Sequence, residues 1–174
     1  FQVDTLQRAR INSVYTNMIN AYRHRVGAED AVVLATLDYW KWKSTGGGIS
    51  REPYATYRER KERLDKEHLE VLDNLIREYG GREICAEVYI DKAGWLRGLG
   101  ASYMDEVLQV CDEGVKRYSA YKRINELRNI RESVLQPYLN VSTQESVYPG
   151  DSLELNVGYR NLKGFTLNLY RTNL

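Results

Sequence analysis

A chain of 174 residues with 43% apolar content can bury a core, and it has room for one ordinary domain or a domain plus a further piece. Its 25 Lys and Arg nearly cancel its 24 Asp and Glu, leaving a formal charge of +1. No net field therefore draws it to nucleic acid or to an anionic membrane. It holds no apolar run of membrane-spanning length, so no transmembrane segment is expected, and no basic-then-apolar leader. Phe1 stands where an initiator Met would, which reads as a processed or excised piece and leaves location open.

The first element is a helix from Thr5 to Arg25. Ile11, Val14, Tyr15, Met18, Ile19 and Tyr22 recur along it at the three- and four-residue spacing of one helical face. Val26-Gly27 closes it. A second helix, Ala28 to Lys43, carries Ala31, Leu34, Ala35, Asp38 and Trp42 on one side and ends at the Ser44–Pro53 loop with its triple glycine. Together they read as a hairpin.

A longer helix, Tyr54 to Tyr79, has Tyr57, Leu64, His68, Leu72, Leu75, Ile76 and Tyr79 on its apolar side and stops at Gly80-Gly81. Arg82 to Arg97 pairs with it, carrying Ile84, Cys85, Val88, Tyr89 and Trp95. After Gly98-Leu99-Gly100, a third pair is expected. Its first helix is Tyr103 to Arg117, with Met104, Val107, Leu108, Cys111 and Val115; its second is Ser119 to Gln136, with Ile124, Leu127, Val134 and Leu135, stopped by Pro137. Six helices in three antiparallel hairpins describe a tetratricopeptide-like α-solenoid or a small bundle.

The period then changes from 3.6 to 2. Leu139 and Val141 open an extended run, and Tyr148-Pro149-Gly150-Asp151 is a turn. Leu153, Leu155, Val157 and Tyr159 then alternate with polar or small residues, as do Phe165, Leu167 and Leu169 after a turn at Asn161–Gly164. The expectation is a helical-hairpin module over 1–136 and, over 137–174, about three strands of an incomplete antiparallel β-sandwich. Such strands need cover, and their edge is a place where another chain can pair.

The aromatic usage favours thin layers over a deep core: 14 Tyr against 2 Phe. Tyrosine buries a ring while its hydroxyl reaches a polar partner.

Little in the sequence points to catalytic chemistry. Gly46-Gly47-Gly48 has no preceding strand and no following Lys-Ser/Thr, so it reads as a helix connector rather than a phosphate loop. His24 and His68 lie far apart without metal-ligand spacing. The charged run from Arg58 to Glu67 alternates signs at four-residue intervals, as a solvated helix face does, with a peptide- or protein-binding groove as the sharper reading. Cys85 and Cys111 fall on apolar helix faces and read as buried thiols, with an inter-helix disulfide as the alternative. No catalytic, cofactor-binding or metal-binding residue is assigned, and no enzyme is expected. Tyr39, Trp40 and Trp42 are the candidates for a protein-interaction surface, because bulky aromatics anchor partners effectively; helix packing is the alternative role.

Leu135-Gln136-Pro137-Tyr138-Leu139, Val147-Tyr148-Pro149-Gly150-Asp151, Tyr159-Arg160-Asn161-Leu162 and Leu169-Tyr170-Arg171 together resemble the entry into a macroglobulin-type β-sandwich. This is similar to the large bacterial alpha-2-macroglobulin family proteins, in which helical repeats precede such a domain. The stretch Cys111 to Tyr118 is similar to a tetratricopeptide-like helix pair. The resemblance implies a segment of a cell-envelope protein, periplasmic or lipid-anchored, that traps proteinases. It implies as partners the other domains of the same large chain and the proteinases themselves. The family's thioester is not implied here, since Ala86-Glu87-Val88 follows Cys85 and Asp112-Glu113-Gly114 follows Cys111. The runner-up reading is a helical-repeat adaptor whose β tail docks a protein partner.

Overall fold

The computed structural model describes residues 2–44, 57–143, 152 and 154–168. It is mainly helical, with six α-helices followed by a small antiparallel sheet. The helices are α1 (Gln2–Arg23), α2 (Ala28–Ser44), α3 (Tyr57–Tyr79), α4 (Cys85–Leu99), α5 (Met104–Arg117) and α6 (Asn125–Leu135), and a single 3₁₀ turn at Ala101–Tyr103 leads into α5. The strands are β1 (Tyr138–Thr143) and β2 (Leu155–Arg160). Among the described residues no helix is long and apolar enough to cross a membrane.

The chain divides into two compact units, Phe1–Arg131 and Glu132–Leu174, with the division inside α6. In the first unit, α1 behaves as its periodicity dictates: Ile11, Val14, Tyr15, Met18, Ile19 and Tyr22 are half-buried, and the residues between them are exposed. This stripe lies on α2, its partner in the first hairpin. α2 differs from the expected one-sided helix. It buries Ala31, Val33, Ala35, Leu37 and Trp40, positions that fan around the axis, while Leu34, Asp38 and Trp42 are only half-buried. The reason is that α2 packs on α1, α3 and α4 together, and a helix enclosed on several sides loses the single-stripe pattern.

α4 holds the same central position for the second half of the unit, packing on α3 and α5 as well as α2. Cys85, Ala86, Val88, Tyr89, Ala93 and Leu96 are buried along it. α5 keeps a clean stripe of Val107, Val110, Cys111 and Gly114. At Gly114 α5 lies close against its neighbours. A Cβ built there would stand 2.5 Å from Leu127 Cδ1 of α6 and 3.0 Å from Tyr89 Cβ of α4.

The sixth helix begins later than its apolar pattern predicts. From Tyr118 the chain makes successive three-residue turns, with Tyr121 N–H donating to Tyr118 O and Ile124 N–H to Tyr121 O, before α6 starts at Asn125. At that period Tyr118, Tyr121, Ile124 and Leu127 all point inward, and all four are buried.

In the second unit β1 and β2 pair antiparallel, with Leu139 opposite Tyr159, Val141 opposite Val157 and Thr143 opposite Leu155. Directly opposed residues share a face, so Leu139, Val141, Leu155, Val157 and Tyr159 form one apolar side. Tyr138, Asn140, Ser142, Asn156, Gly158 and Arg160 form the other. The base of the ribbon is tied to the end of α6 by side chains that satisfy its last carbonyls. Asn161, at φ 55°, donates from Nδ2 to Val134 O at 2.6 Å, and Arg160 donates to Ser133 O at 2.9 Å.

Among the described residues two strands are found where about three are expected. Residues 161–168, which include Phe165 and Leu167, carry no strand. The glycine loop over 45–53, the helix start at Tyr54, the Tyr148–Asp151 turn, Leu153 and the Leu169–Arg171 segment lie outside the described residues.

Candidate functional site

Tyr39, Trp40 and Trp42 differ in exposure, with Trp40 buried and the other two half-buried, and the Tyr39 ring meets the edge of Trp40 at 6.2 Å. Successive helix residues are rotated by about 100°, so positions 39 and 42 fall on nearly one line of the helix and position 40 lies further round. Tyr39 and Trp42 are half-buried and pack on each other with centroids 5.8 Å apart. Tyr39 also meets the edge of Tyr15 on α1 at 5.7 Å. Its hydroxyl is pushed above the ordinary tyrosine range, first by burial and then by the Glu67 carboxylate. Trp40, at 8% exposure, faces into the junction of α2, α3 and α4.

That junction is a polar cluster inside an apolar core. His68 of α3 is fully buried at 0% exposure and stacks flat on Trp40, with ring centroids 5.2 Å apart and planes 3° from parallel. Trp95 of α4 meets the imidazole at 79° with centroids 4.2 Å apart. Asp91, one helical turn before Trp95, places Oδ2 3.5 Å from His68 Nε2 and Oδ1 3.5 Å from Lys41 Nζ. On the outer side Lys43 lies 4.1 Å above the Trp40 ring and donates to Glu67 at 3.2 Å. Four buried side-chain atoms without a hydrogen-bond partner among the described residues converge here: both ring nitrogens of His68, Asp91 Oδ2 and Trp95 Nε1. Buried polar atoms are normally satisfied, so this concentration at one point marks the junction as specialised.

The sequence placed His68 on the inner face of α3 correctly, through its spacing with Leu64 and Leu72. It had no means of finding Asp91, which looks like one more surface carboxylate until the helices are assembled.

The thiols are poorly disposed to nucleophilic chemistry. Cys85 and Cys111 are both buried and free. Burial pushes Cys111 up to about 11, and burial also raises Cys85 against an opposing hydrogen bond from Tyr118. Thiolate, the reactive form, is thereby suppressed in both. Among the described residues, no three His, Cys, Asp or Glu side chains gather as a metal site would require.

The second candidate is the ribbon's apolar side. Leu139 and Val141 of β1 and Leu155 and Tyr159 of β2 are all exposed, Tyr159 by 65%, and Phe165 extends the patch by packing on Tyr159 at 6.1 Å. Contiguous exposed apolar surface on a small sheet is characteristic of a face that is covered in use.

Compared with known proteins, the chain matches no model of a protein family, no curated protein and no solved structure.

Proposed function

We propose that this chain is a non-catalytic structural and protein-interaction segment of a cell-envelope proteinase-trapping protein of the alpha-2-macroglobulin type. In this reading the helical unit is scaffold, and the β1–β2 ribbon is the opening of a macroglobulin-type sandwich. One observation carries it: the register puts Leu139, Val141, Leu155, Val157 and Tyr159 on one side of a two-stranded sheet, and most of that side is exposed. A two-stranded ribbon is marginal alone, and an alternating apolar face is the half of a sandwich that awaits a second sheet. The motifs flanking the ribbon, from Leu135-Gln136-Pro137 to Tyr159-Arg160-Asn161, support the family reading by resemblance.

The test is to express the protein from its natural gene and challenge it with proteinases of different specificity. The expected result is cleavage at one exposed segment, followed by retention of the proteinase in a complex. Amide exchange of residues 138–143 and 155–160 should also be slower in the natural protein than in this chain. A natural protein that adds no further β-structure, or that proteinases digest without being retained, overturns the proposal. The runner-up, an adaptor whose ribbon docks a separate protein, draws on the same exposed face. It predicts protection of those amides only when the partner is added.

A further inference from the structure

We draw no further inference here: the strongest candidate, the exposed strand β1 (Tyr138–Thr143), which carries no charged residue and pairs with β2 alone among the described residues, belongs to the ribbon already described, and nothing in the structure shows what covers it.

Discussion

The Tyr121 hydroxyl donates to Glu87 Oε1 at 2.7 Å, and the second oxygen of the same carboxylate receives Arg123 at 2.6 Å. This joins the turn before α6 to α4 across 34 residues of sequence. Tyr89 to Glu113 at 2.9 Å and Tyr22 to Asp38 at 2.5 Å repeat the device between other elements. In each case a ring lies between elements while its hydroxyl finds a carboxylate at the margin, the use of tyrosine that its abundance over phenylalanine foretells. Tyr121→Phe keeps the ring and removes the bond. Glu87 retains Arg123, so the cost should be about 1.5 kcal/mol, the lower end of the range for a hydrogen bond to a charged group. Chemical denaturation of the two proteins checks it, and an unchanged midpoint would show that the hydroxyl contributes nothing.

Alkaline pH should break all these links within one window. Tyr22 is pushed from 10.0 up to about 12 by its hydrogen bond to Asp38 and by burial. Tyr118 is pushed up to about 12, chiefly by burial, and Tyr89 and Tyr121 are raised further for the same leading reason. The fold thus favours the protonated phenols. Their contribution is complete below the unfolded value near 10 and is lost as pH rises through the folded values. Helical circular dichroism should hold to about pH 10 and collapse as pH approaches about 12. Tyrosinate absorbance of the buried group should rise in step with that collapse. A smooth phenol titration finished well before unfolding would contradict the assignment.

Two glycines should respond to alanine with opposite signs. At Gly114 a methyl group meets Leu127 Cδ1 at 2.5 Å and the Tyr89 backbone-proximal carbon at 3.0 Å, so α5 must move away from α4 or α6. Overpacking of this kind costs roughly 1–3 kcal/mol, more than the gain of about 1 kcal/mol from replacing a helical glycine. At Gly94, inside α4, nothing lies within 4 Å of the added carbon. Gly94→Ala should therefore stabilise by about 0.5–1 kcal/mol through the unfolded chain alone. Denaturant midpoints moving in opposite directions are the expected outcome.

The helices were legible because their stripes are local. Each of the six apolar positions read along α1 is half-buried in the structure. α2 was misread in detail because a helix enclosed by three neighbours has no single stripe to find. The spacing of Ile124 and Leu127 reads as a helix from Ser119, yet Tyr118 and Tyr121 extend that series backwards at a period of three, which a 3₁₀-like turn satisfies equally well. Of the aromatic trio, the spacing of Tyr39 with Trp42 was visible, but whether Trp40 faced solvent or core depended on α3 and α4. The His68–Asp91 pair spans two helices and 23 positions, a relation that no periodicity within either helix encodes.

The ribbon's attachment makes the last prediction. Asn161 sits at φ 55°, a conformation that asparagine tolerates better than most residues, and its amide reaches Val134 O at 2.6 Å and Gln136 O at 3.4 Å. Arg160 adds a cationic donor to Ser133 O, where the negative end of the α6 dipole lies. Asn161→Ala loses both amide bonds and places a residue less suited to that backbone, whereas Asn161→Gly loses the bonds but keeps the conformation. Both variants should speed amide exchange in β1 and β2 while leaving the melting of the helical unit unchanged. Alanine should have the larger effect, with the two differing by about 1 kcal/mol, the cost of left-handed backbone for a residue with a Cβ. Equal exchange in the two variants would assign the attachment to the hydrogen bonds alone, and exchange unchanged in both would assign it to strand pairing.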